Sequence, residues 1–145
     1  MNIYVNCITS AVESIISGWD SAVDGGWTVE RECEENTDGN RTPWIGIYSP
    51  RISFEGTRAN VLRPFTATLN IPVIIQDIDY RDVQQSIFNV NDLTAEVYTA
   101  VSCYRDLLGT VNIVNGLTWD PFNRLIDDED VLVSNRLVII AEVFA

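Results

Sequence analysis

Phe65-Thr66-Ala67-Thr68-Leu69-Asn70-Ile71-Pro72-Val73-Ile74-Ile75-Gln76 is the stretch that decides the fold. Phe65, Ala67, Leu69, Ile71, Val73 and Ile75 alternate with Thr66, Thr68, Asn70, Pro72, Ile74 and Gln76. Successive side chains of a strand point to opposite faces of its sheet, so this period of two predicts a long strand with one apolar face inward. Pro72 has no N–H to give to a ladder, which predicts that the strand is an edge there or carries a bulge.

Downstream, Asp77–Asp82 reads as a turn in which Asp79 or Asp82 caps the following helix. Val83, Ile87, Val90, Thr94, Val97, Val101, Tyr104 and Leu108 step by four and three, predicting a helix with one face on the sheet and its end at Gly109. Asn89 and Asn91 allow a break in its first third. Thr110–Thr118 reads as a strand around Val111, Ile113 and Val114, and Trp119–Asp130 as an aromatic, then acidic, loop. Val131–Ala145 is a long strand. It has Leu137, Ile139, Ala141 and Val143 on one face, with Arg136, Val138, Ile140, Glu142 and Phe144 on a mixed one.

Upstream, Tyr4, Ile8, Ala11, Val12, Ile15, Ile16 and Trp19 form the apolar stripe of a first helix. Gly18 near its end suits a left-handed cap, and Asp24-Gly25-Gly26 marks a turn. From Trp27 to Glu34 the period is two again: Trp27, Val29, Arg31 and Cys33 face one way. Thr28, Glu30, Glu32 and Glu34 form an acidic ladder on the other. Glu35–Pro43 reads as an exposed hairpin loop and Trp44–Tyr48 as a short strand. Ser49–Asn60 is a long excursion or an irregular strand. The order is helix, three or four strands, helix, two strands. That predicts an α+β fold: a mainly antiparallel β-sheet with two α-helices packed on one face, in a single domain spanning 1–145.

A chain of 145 residues is of one-domain size. Its 46% hydrophobic and 21% charged residues are ordinary for a globular protein. No window approaches the ~20 apolar residues of a membrane-spanning helix, and the N-terminus lacks the pattern of a secretory signal. Nine basic and 21 acidic residues give a net charge of −12, and every base is Arg. The absence of His removes imidazole bases, Ser–His and Cys–His dyads and imidazole metal ligands. The absence of Lys removes Schiff-base chemistry and the phosphate-binding lysine of a P-loop. At this charge an electrostatic grip on nucleic-acid phosphates is unfavourable.

Cys7, Cys33 and Cys103 match no zinc or disulfide spacing and read as reduced thiols. Asp127, Asp128, Glu129 and Asp130 lack the spaced pattern and turn glycine of a calcium loop. There is no Gly-x-Ser-x-Gly elbow and no Gly-x-Gly-x-x-Gly after a strand. The expectation is a non-enzymatic protein with no catalytic residues, no metal and no cofactor. Trp119-Asp120-Pro121-Phe122 with Arg124 reads as a contact surface instead.

The strand at Phe65–Gln76, the turn Asp77–Asp82, and the helix ending Asp106-Leu107-Leu108-Gly109 recur in a known family, as do the strand at Val111 and the terminal run Arg136-Leu137-Val138-Ile139-Ile140-Ala141-Glu142-Val143-Phe144. In these the chain resembles the phage tail terminators (minor tail protein U-like). The overlap covers about residues 60–145 and is one of element order and hydrophobicity. Tail-completion and neck proteins share the layout. The resemblance implies a structural virion protein, assembled in the host cytoplasm, that caps the tail tube as a homohexameric ring. Such a ring ends tube polymerisation and forms the joining surface to the head-side connector. Its partners would be itself, the tail tube protein and the connector, with genomic DNA passing through the lumen without specific binding and no membrane contact. An acidic lining lets DNA slide. Glu30, Glu32, Glu34 and Asp127–Asp130 are the candidate lumen residues, and Arg51, Arg58, Trp119, Phe122 and Arg124 the candidates for subunit or partner contact. The alternatives are a head–tail connector or neck completion protein, or an unrelated oligomerising binding domain.

Overall fold

The computed structural model describes residues 3–32, 43–55, 66–77, 83–125 and 131–144. In chain order the elements are α1 (Val5–Ser17), α2 (Asp20–Gly25), β1 (Thr28–Arg31), β2 (Trp44–Ile47), β3 (Arg51–Glu55), β4 (Thr66–Asp77), α3 (Val83–Ser102), β5 (Ile113–Leu125) and β6 (Val131–Phe144). All six strands join one sheet in the spatial order β1, β2, β4, β6, β5, with β3 also paired to β4. The fold is α+β, and every strand pair but β1–β2 is antiparallel.

The alternation that predicts β4 is the alternation observed. Ala67, Leu69, Ile71, Val73 and Ile75 are fully buried, as are Leu137, Ile139 and Ala141 across the ladder on β6. Ile8, Val12, Ile15 and Ile16 of α1 and Val90, Leu93, Val97 and Val101 of α3 close over this face in one core. Full burial of each such side chain contributes about 1.5–3 kcal/mol. The other face of the sheet carries no helix among the described residues.

β4 is central, not an edge. β6 covers one side from Thr66 to Asp77. On the other side β3 pairs with Thr66–Asn70 and β2 with Val73–Gln76, so β2 and β3 act as one strand interrupted opposite Ile71 and Pro72. The register slips by one residue there. The carbonyl of Pro72 accepts the Tyr48 N–H at 3.0 Å, so its nitrogen also faces the interruption. The missing donor thus falls where the neighbouring strand has left the ladder; the bulge is in the partner strand, and Ser49–Asn60 contributes a regular strand, β3.

Several other expectations change. β1 and β2 pair in parallel, Thr28 opposite Trp44 and Arg31 opposite Ile47, so Glu35–Pro43 is not a hairpin loop. Gly18 is right-handed; the left-handed cap is Gly26 (φ 63), which ends the additional short helix α2. Arg31, on the inward set of β1, is neutralised by Glu13 of α1 at 3.0 Å and donates to the Asn6 carbonyl at 3.1 Å. α3 runs unbroken through Asn89 and Asn91 and stops at Ser102, short of Gly109.

Leu107, Leu108 and Gly109 then take φ of 46, 58 and 82. Left-handed backbone costs a non-glycine residue roughly 1–2 kcal/mol. The turn is held by the Asp106 carbonyl, which accepts the N–H groups of Gly109, Thr110 and Val111 at 3.0, 3.0 and 3.2 Å, and by complete burial of Leu107. Leu107 therefore replaces Leu108 as the apolar anchor beyond the helix; Leu108 is exposed. β5 extends to Leu125, so Trp119–Leu125 is strand rather than loop.

Trp44 faces away from the helices yet is fully buried, and its ring lies against Gly46 two residues along β2. A Cβ at position 46 would overlap that ring. Gly46→Ala is expected to displace Trp44 and cost about 1–3 kcal/mol of stability, read in urea unfolding with a shifted indole emission. Unchanged stability and emission would show that the ring does not depend on the bare backbone beneath it.

Candidate functional site

The acids expected to line a lumen are partly committed within the subunit. Glu30 Oε2 accepts the Trp44 indole N–H at 3.3 Å, and Glu32 Oε1 accepts the Ser49 hydroxyl at 2.6 Å. The acidic ladder is also shorter than its sequence period. β1 ends at Arg31, and Glu32 turns to φ 53 while its N–H donates to the Ile47 carbonyl at 2.9 Å. Glu34 and Asp127–Asp130 lie outside the described residues, as does Arg58.

The contact group divides. Phe122 and Arg124 belong to β5, opposite Ser134 and Leu132. Trp119 is also on β5, in register with the buried Leu137, and so sits on the helix-covered side of the sheet. It keeps 40% exposure because β5 is an edge. Its indole N–H is 3.2 Å from the Asn135 amide. An indole nitrogen only donates, which assigns the Asn135 oxygen to that side and lets its Nδ2 donate to the Ser134 carbonyl, also at 3.2 Å. The Thr94 hydroxyl and Asn91 amide of α3 are 3.1 and 3.0 Å from the same oxygen. This polar node pins β5 and β6 to α3. Sequence periodicity missed it because Asn135 occupies an inward position of β6 that an apolar residue would fill equally well.

Arg51 is where a contact residue should be. It stands on β3 opposite Asn70, with its side chain on the face that carries no helix among the described residues. With Arg136 of β6 it borders a shallow cavity of about 310 Å³ floored by Pro72, Val138 and Ile140. Both arginines are exposed. Neither makes an ion pair or a side-chain hydrogen bond among the described residues, although Asp120 stands opposite Arg136 on β5.

On the helix-covered side lies a larger cleft of about 580 Å³, bordered among the described residues by Ser21, Trp27, Asp77, Asp92 and Glu96. Glu96 is held in place by the Trp19 indole N–H at 2.8 Å and the Ser21 hydroxyl at 3.2 Å. This cleft was not marked by the sequence, since its acids come from β4 and two turns of α3. Among the described residues no group of three metal-ligating side chains converges, Cys7 and Cys103 are free thiols, and no helix is long and apolar enough to cross a membrane.

No protein-family model matches the chain, and no curated protein matches it significantly.

Because Glu30 serves Trp44, Glu30→Ala is expected to lower stability by about 1–3 kcal/mol, the cost of stranding a buried donor. Asp120→Ala, at an exposed carboxylate, should stay within about 0.5 kcal/mol. Equal, negligible effects in thermal unfolding would return Glu30 to the set of free surface acids.

Proposed function

We propose that the chain is a structural subunit of a phage tail, a terminator that caps the finished tail tube as a ring and presents a surface to the head-side connector. The observation that supports this best is the C-terminal half. A long alternating strand, a sheet-packed helix and a terminal two-stranded antiparallel ladder follow one another in the order seen in tail terminators. Among the described residues helices cover one face of the sheet and none covers the other, which suits a protein completed by its neighbours. The reading is non-enzymatic: the chain has neither His nor Lys, and no group of three metal-ligating side chains converges among the described residues.

In this role the net charge of −12 has a use. DNA leaving the head passes the ring, and acids on the lumen keep it from sticking. Glu34 and Asp127–Asp130 are the residues to place there; Glu30 and Glu32 are spoken for by Trp44 and Ser49. Arg51, on the bare face, is placed at a subunit or tube contact.

The test is to add purified protein to tubes growing from the tail tube protein encoded in the same genome and to follow them by negative-stain electron microscopy. The expected result is ring density at one tube end and arrest of growth there. Tubes that lengthen unchanged and carry no added density would overturn the terminator role, and binding to the connector without binding to tubes would assign the chain to the neck.

A further inference from the structure

β5 leaves one stretch of its outer edge unused. The Pro72 carbonyl points to the β2–β3 side of β4, so Pro72 and Val138 are opposite without bonding each other, and Val138 turns its polar backbone groups to Thr118. Gly116, Thr118 and Asp120 therefore bond to β6, while Leu117 and Trp119 direct their N–H and C=O groups to the open side. No backbone partner meets those groups among the described residues. The stretch is bounded at both ends. The outward N–H of Val114 is taken by the Arg105 carbonyl at 2.6 Å, next to a bulge at Asn115, and Pro121 has no N–H to offer. Between such stops the edge admits one short strand from another chain rather than indiscriminate pairing.

A groove runs beside this edge. α3 packs on β6 and β4 rather than on β5, so the inner face of β5 is only half covered. The hollow between the last turns of α3 and β5 has a volume of about 200 Å³ and is walled by Tyr98, Val101, Arg105, Asn115 and Leu117. Leu117 stands opposite the buried Ile139, so its side chain is on the helix side of the sheet. Directly opposed residues point to the same face, so a residue paired with Leu117 sets its side chain against Tyr98 and Val101.

Arg105 is the one charged group on these walls among the described residues. It is exposed, with no ion pair or side-chain hydrogen bond among the described residues. Asp92 and Glu96, the acids of α3, border the cleft on the other flank of the helix, and Asp106 is not on the groove walls. A strand added antiparallel to β5 runs from Trp119 toward Arg105 and cannot pair beyond Val114, so it finishes at a guanidinium. The group that finishes a polypeptide is a carboxylate, which a guanidinium binds through two parallel hydrogen bonds.

We propose that the open edge of β5 at Leu117 and Trp119 binds the extended C-terminal tail of a partner protein as an additional antiparallel strand, its terminal carboxylate on Arg105 and an apolar side chain between Tyr98 and Leu117. This contact goes beyond the tail-capping role and does not depend on which surface meets the tube.

The test uses the full chain and short fluorescein-labelled peptides of alternating valine and threonine, in both phases, each with a free and with an amidated C-terminus. By fluorescence anisotropy, the free acid that places valine opposite Leu117 is expected to bind, and its amide to bind at least tenfold more weakly. Arg105→Gln, which keeps the backbone carbonyl that holds Val114, should abolish that difference between acid and amide. Amide hydrogen exchange at Leu117 and Trp119 should slow in the complex, a change that carboxylate pairing alone does not produce. Failure of every peptide to bind, equal binding of acid and amide, a difference that survives Arg105→Gln, or unprotected Leu117 and Trp119 amides in the complex would each overturn the proposal. Protection of the same two amides in a concentration-dependent dimer of the free chain would also overturn it, by giving the edge to a second copy.

Discussion

The twelve-residue ladder between β4 and β6 is the interaction on which the rest of the structure depends. It places two alternating strands side by side in one register, Thr66 opposite Phe144 through Asp77 opposite Val133. Every inward side chain of one then meets an inward side chain of the other. A slip of one residue would turn both apolar rows to the wrong face. The helices are consequences of that ladder: α1 and α3 have apolar stripes because there is one apolar sheet face to cover.

The same ladder creates the opposite face. A strand that puts Leu69, Ile71 and Val73 inward must put Asn70, Pro72 and Ile74 outward, and β6 adds Arg136, Val138 and Ile140 beside them. The resulting surface is neither apolar enough to demand another layer of the same chain nor polar enough to be indifferent to contact. Arg51 and Arg136 stand exposed on it with no ion pair among the described residues, beside Asp120 and Glu142 of the same face.

Long periodic segments were legible before any coordinates, because one residue after another repeats the same constraint. β4, β6, the first helix and most of α3 belong to this class. Features set by non-local pairing were not. Pro72 reads as an edge or bulge signal, yet the bulge lies in the partner, at the break between β2 and β3 more than twenty residues away in sequence. Trp119–Leu125 reads as a loop because of Asp120, Pro121 and Asn123. As an edge strand β5 tolerates them, for the register with Asn135 turns the Pro121 nitrogen to the open side. Asp106–Val111 ends α3 early through three left-handed residues, two of them leucines, which no helix-end rule anticipates. Of the candidate site, Arg51 was legible, together with Arg58, as a basic residue of the 49–60 segment in an acidic chain. Arg136 was legible only as part of a mixed strand face, and the cleft of Asp92 and Glu96 needed the fold to assemble it.

The protein's role depends on which surface of this sheet is covered when it does its work. Hydroxyl-radical footprinting of the free chain and of the chain bound at tail-tube ends measures that coverage side chain by side chain. Pro72, Val138 and Ile140 should lose most of their reactivity on assembly, while Phe88 and Tyr4, exposed on the helical side and outside the cleft, keep theirs. Equal reactivity of the three sheet residues in both states would contradict the assignment of the bare face as the assembly surface.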